Sequence, residues 1–150
     1  MSVTVLTNTI HIAASPARVW AALARLDALH EYDPGISKSV LRTDQCSGLG
    51  ADRECLIKTG GWFRERVTLW DPEHELEFTL YDCTLPVRRL RHHYKLTSEG
   101  GGTRVQQTQE YELKYGAVGT VLDVVLVRRK WDAGIKTFFA GLKRYVEAHA

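Results

Sequence analysis

Apolar residues recur with two different periods along this chain. Val3, Val5, Ile10 and Ile12 are interleaved with threonine, asparagine and histidine, which predicts a first strand over residues 3–12. Ser15-Pro16 then starts a helix, with serine as N-cap and proline at the first helical position. Val19, Trp20, Leu23, Leu26 and Leu29 supply its apolar face, a bend is expected near Asp27, and Asp33-Pro34-Gly35 ends it. Six strand-like segments follow, over residues 36–44, 52–58, 62–70, 75–84, 87–97 and 103–114. Turn chemistry separates them, for example Ser47-Gly48-Leu49-Gly50, Thr59-Gly60-Gly61, Asp71-Pro72 and Gly100-Gly101-Gly102. Short loops make sequence neighbours pair antiparallel.

After Gly116 the step changes to three or four. Val124, Val127, Trp131, Ile135, Phe138, Leu142, Tyr145 and His149 line one face of a predicted helix over about residues 117–150. Leu126, Phe139 and Val146 widen the stripe. Such a helix is roughly 45 Å long and needs a large apolar partner. The expected fold is therefore α+β: a seven-stranded, curved antiparallel sheet wrapped around a long C-terminal helix, with two short helices after the first strand. Residues 116–127 are apolar on nearly every side and are expected to act as a lid, hinged at Gly116 and Gly119.

Alternation also assigns faces. Val105, Gln107, Gln109, Tyr111 and Leu113 share one face of the last strand, and Leu90, His92, Tyr94 and Leu96 one face of the strand before it. Leu76, Phe78 and Leu80, then Phe63, Glu65, Val67 and Leu69, extend that inward face. It is mostly apolar yet carries Glu65, His92, Tyr94, Gln107, Gln109 and Tyr111. Polar groups on a core face are costly unless paired or wet, so a solvated or ligand-filled cavity is expected under the helix.

Composition narrows the function classes. One hundred and fifty residues make a single domain, 1–150, large enough for a core and a cavity. A net charge of +2 offers no nucleic-acid footprint. Cys46, Cys55 and Cys83 lack metal or disulfide spacing and read as small hydrophobes in a reducing compartment. The N-terminal residues lack the pattern of a signal peptide, and no apolar run is long enough to span a bilayer, so the expected location is cytoplasmic. His92-His93 point to opposite faces of a strand and do not share a metal ion, and Gly48-Leu49-Gly50 lacks the context of a phosphate loop. No metal and no cofactor are expected. The basic runs Arg88-Arg89-Leu90-Arg91 and Arg128-Arg129-Lys130 read as solvated faces, with membrane contact the minority reading. Monomer and homodimer both stay open.

Several short motifs then carry a resemblance over the whole chain. They are Ile10-His11-Ile12 followed by Ala14-Ser15-Pro16-Ala17-Arg18-Val19-Trp20, Gly48-Leu49-Gly50-Ala51-Asp52-Arg53, Glu65-Arg66-Val67 running to Trp70-Asp71-Pro72, and Gly101-Gly102-Thr103-Arg104-Val105. With the glycine-led terminal helix, the chain resembles the START-like (SRPBCC) helix-grip superfamily, in its polyketide cyclase/dehydrase and lipid-transport branch. Tyr32 departs from the pattern, since members often carry tryptophan there. The resemblance implies a cavity between sheet and terminal helix that holds a hydrophobic small molecule, and no universal catalytic signature.

On that basis the ligand-lining candidates are Glu65, Phe78, Leu90, Gln107, Gln109, Tyr111, Leu122, Trp131, Ile135 and Phe138. If the protein is an enzyme of the cyclase, aromatase or dehydrase type, Arg53, His92 and Tyr94 are the catalytic candidates. Enolate chemistry needs a cation or donor near the oxygen and a base near the carbon. A third alternative is a lipid or quinone carrier that docks on membranes. Each candidate also has a structural role open to it: Arg53–Glu65 as a sheet-fixing pair, the aromatics as core.

Overall fold

The computed structural model describes residues 3–116, 118, 121 and 126–149. The elements run β1 (Thr4–Ile12), α1 (Pro16–Leu23), a 3-10 helix (Leu26–Glu31), β2 (Ile36–Leu41), β3 (Asp52–Ile57), β4 (Trp62–Asp71), β5 (Glu75–Cys83), β6 (Val87–Glu99), β7 (Gly102–Leu113) and α2 (Arg128–Ala148). The seven strands form one antiparallel sheet in the order β1-β7-β6-β5-β4-β3-β2. From β2 to β7 each strand pairs with the next one in sequence. The two helical pieces carry the chain from β1 at one edge to β2 at the other. The result is the expected α+β, helix-grip architecture.

The local signals act as the chemistry suggests. The Ser15 hydroxyl accepts from the Arg18 N–H, and Pro16 opens α1. Val19, Trp20 and Leu23 of α1, with Leu26 and Leu29 beyond it, are buried. The α2 stripe of Ile135, Phe138, Phe139, Leu142 and Val146 is buried against the sheet. Polar contacts moor α2 to β1 and the turn after it: Asn8 donates to Asp132 at 2.8 Å, Lys143 to the His11 carbonyl at 2.8 Å, and the Ala13 N–H to Glu147 at 2.8 Å. Gly141 is the point of closest approach, where an added Cβ would lie 1.9 Å from the Tyr32 carbonyl oxygen.

Two expectations are changed. The strand expected over 36–44 ends at Leu41. On β4 the alternation slips: Val67 lies opposite Phe78, Leu69 opposite Glu77 and Trp70 opposite Leu76. This bulge takes Leu69 out of the inward row and turns Trp70 inward instead, edge-on to Trp20 with ring centroids 5.0 Å apart. The proposed lid falls mostly outside the described residues, including Gly119 and Val124. Within it, Val118, Val121 and Leu126 are exposed.

The convex face is laced by ion pairs, among them Arg64 with Glu54, Arg66 with Asp52, Arg89 with Glu112 and Arg91 with Glu110. Pairs with exposed members contribute little each, about 0–1 kcal/mol. Their effect is to keep that face polar while the concave face turns to α2.

Candidate functional site

Four adjacent strands build a polar patch on the concave face. β4 supplies Glu65, β5 supplies Phe78, β6 supplies His92 and Tyr94, and β7 supplies Gln107 and Gln109. Register sets them side by side: Phe78 is opposite His92, His92 opposite Gln109, and Tyr94 opposite Gln107. Arg53 on β3 is the cross-strand partner of Glu65.

The Arg53–Glu65 pair is almost fully enclosed, at 4% and 2% exposure. Arg53 Nε and Nη2 each lie 2.7 Å from Glu65 Oε1. Nη1 donates to the Leu26 carbonyl at 3.1 Å, and the guanidinium lies 4.2 Å from the centre of the Phe78 ring. Burial is the largest single influence and opposes the charge on Arg53, but Glu65, Cys55 and Tyr32 together outweigh it and hold the guanidinium protonated above its ordinary range. The other Glu65 oxygen, Oε2, has no hydrogen-bond partner and lies 3.9 Å from His92 Nε2.

Burial lowers the His92 pKa; attraction to Glu65 works against this and Arg53 adds to it. The imidazole is therefore neutral near pH 7. Its Nδ1 is buried without a partner, and 19% of the side chain stays accessible. The Gln107 amide donates to the Tyr94 hydroxyl at 3.0 Å and leaves its own Oε1 without a partner. Burial, helped by the negative charge of Glu65, pushes the Tyr94 phenol well above its ordinary range, so it stays protonated.

Aromatic rings wall the patch. Tyr94 meets Phe78 edge-on at 6.4 Å and Phe138 of α2 at 5.9 Å, and Phe138 meets Tyr32 at 5.9 Å. Ile135 lies one turn earlier on the same buried face of α2. Tyr111 packs on half-buried Trp131 with centroids 4.5 Å apart, a few residues further along β7. Leu90 is buried beside Tyr111, its cross-strand partner. Leu122 lies outside the described residues.

Sequence reasoning missed three groups at this patch. Tyr32, 5% exposed, closes it from the segment after the 3-10 helix, and burial raises its phenol pKa. The Leu26 carbonyl anchors Arg53. Cys55 lies near Arg53, and its thiol is pushed up to about 12 by burial, which makes it inert.

Chemically, the patch offers a fixed cation, a neutral imidazole, and two acceptor oxygens without donors, all inside an apolar shell. Among the described residues no three His, Cys, Asp or Glu side chains converge as metal ligands do. No helix among them is long and apolar enough to cross a membrane.

The sequence pattern of the family described as polyketide cyclase / dehydrase and lipid transport matches residues 3–147. The chain belongs to that family. Solved structures share the fold across nearly the full length. TTHA0849 from Thermus thermophilus is 22% identical with a TM-score of 0.84, covering 98% of this chain and 99% of that one. A START superfamily protein from Mycobacterium smegmatis is 14% identical with a TM-score of 0.80, covering 97% and 99%. Ara h 8.0201 is 15% identical with a TM-score of 0.78, covering 98% and 99%. At these identities the likeness concerns the fold. No curated protein sequence matches the chain. For a polyketide cyclase/dehydrase and lipid-transport family member, the individual chemistry must be argued from the concave face.

Proposed function

We propose that this protein binds a small apolar, ring-containing molecule with hydroxyl groups on the concave face beneath α2. The observation that carries this is the set of buried atoms without partners: Glu65 Oε2, His92 Nδ1 and Gln107 Oε1. An unsatisfied buried polar atom costs about 1–3 kcal/mol. Two of the three atoms are obligate acceptors, so the occupant that relieves them donates hydrogen bonds. Phe78, Tyr94 and Phe138 offer ring surfaces around them.

Naphthol and naphthalene separate this reading from simple greasy binding. Fluorescence titration is expected to show saturable binding of naphthol, about tenfold tighter than naphthalene, as one hydrogen bond of about 1.4 kcal/mol gives. Gln107→Leu is expected to erase much of that preference. Equal affinity for the two compounds, or no saturation, contradicts the reading.

A second reading is an enzyme of the cyclase or dehydrase type. It is favoured by the neutral His92 standing beside a charged Arg53 and the free Glu65 oxygen. In it, His92 takes a proton from carbon, and Arg53 and Tyr94 donate to the developing enolate oxygen. Under that reading His92→Ala lowers turnover of an enolisable substrate by orders of magnitude, whereas a carrier loses only affinity.

A further inference from the structure

β5 and β6 do not pair along their whole lengths: they are paired only where residues 75–79 meet residues 91–95. Beyond that point β5 stays with β4 as far as Cys83, and β6 stays with β7 as far as Val87. The two strands part at Leu80 and Leu90. β6 bears a bulge next to the split, between Val87 and Arg89. A cleft of about 270 Å³ occupies this place, bounded by Thr79, Leu80, Arg89, Leu90, Arg91, Glu110 and Glu112. Val3 and a part of Tyr111 complete its apolar lining.

Glu112 is the unusual member. It is 4% exposed, and Arg89 takes one of its oxygens at 2.9 Å. The other oxygen, Oε1, has no partner among the described residues. Arg91 is committed elsewhere, to Glu110 and, at 3.7 Å, to Glu77. Glu77 lies outside the cleft, so two carboxylates, Glu110 and Glu112, and two guanidiniums, Arg89 and Arg91, line it. A buried carboxylate oxygen without a donor bears an uncompensated desolvation cost, and a cationic donor makes the strongest hydrogen bond to it. The complementary occupant is a cation that donates hydrogen bonds and carries an apolar body for Leu80, Leu90 and Val3.

We propose that the cleft where β5 and β6 part is a second binding site, for a small organic amine whose ammonium group pairs with Glu112. Leu90 and Tyr111 line both the cleft and the flank of the concave-face patch, but Glu112 belongs to the outward row of β7, so pairing at Glu112 does not depend on Glu65 or Gln107 of the inward rows.

Phenethylamine, protonated at neutral pH, and phenethyl alcohol, its uncharged counterpart, test this by isothermal titration calorimetry. The amine is expected to bind saturably and the alcohol at least tenfold more weakly. Glu112→Gln is expected to weaken the amine at least tenfold. Thr79→Trp, a change at a half-buried cleft-lining position opposite Arg91, fills the space and is expected to abolish binding even if Glu112→Gln folds poorly. Gln107→Leu is expected to leave amine binding unchanged. Failure of the amine to saturate, equal binding of the alcohol, or sensitivity to Gln107→Leu instead of Glu112→Gln overturns the proposal. Loss of naphthol binding with amine binding intact would contradict the concave-face reading alone.

Discussion

Removing Glu65 would leave the Arg53 guanidinium as a lone charge over Phe78, with only the Leu26 carbonyl to receive it. Breaking one side of a buried pair costs about 3–5 kcal/mol, whereas replacing both members with apolar side chains is often neutral. Urea denaturation of Glu65→Leu is therefore expected to show a loss of that size. The double variant Arg53→Met/Glu65→Leu is expected to recover most of it. A single-variant loss no larger than that of Arg91→Ala, on the convex face, contradicts the burial argument. His92 adds a pH dependence. Its native pKa lies below the unfolded value of about 6.5, so as pH falls through that value the unfolded chain takes up a proton that the native chain refuses. Stability then declines toward acid, by at most about 1.4 kcal/mol per pH unit from this residue. Denaturation of His92→Gln between pH 7 and pH 5 is expected to show a flatter profile. These side chains were legible in the sequence because a strand's two-residue period assigns a face to each of them. Tyr32 and the Leu26 carbonyl were not, because they reach the patch from a non-strand segment that has no such period.

α2 carries two glycines in different surroundings, and they predict opposite outcomes. Gly134 is exposed, with nothing near where a Cβ would stand. Gly134→Ala is expected to stabilise by about 0.8–1 kcal/mol through helix propensity. At Gly141 the same methyl would collide with the Tyr32 backbone, and Gly141→Ala is expected to destabilise by about 1–3 kcal/mol or more. Thermal unfolding that moves both variants in one direction contradicts the close approach of α2 to Tyr32. The helix, its stripe and the serine cap could all be read from spacing. The β4 bulge and the parting of β5 from β6 could not. Alternation says which face a residue takes, but not where one strand leaves its neighbour, since Leu80 and Leu90 continue the same pattern across the split.

At the scale of the molecule, a curved sheet and a helix close on each other through two different kinds of contact. Along β1 the mooring is polar, through Asp132, Lys143 and Glu147. Across the concave face it is aromatic, through Tyr32, Phe138, Tyr94 and Phe78. Between them sits a polar patch that the protein's own side chains do not satisfy. Sequence pattern alone anticipated the polar patch, because polar residues interrupt an otherwise apolar inward row. It did not anticipate which of their atoms lack partners, which depends on side-chain geometry. The most direct test is to map amide chemical-shift changes by NMR while naphthol is titrated to saturation. The account predicts that the largest changes fall on the concave-face positions Glu65, His92, Tyr94 and Gln107 and on Phe138 of α2. Changes concentrated on outward positions such as Arg66, His93 and Arg104, with the concave row unmoved, would contradict it.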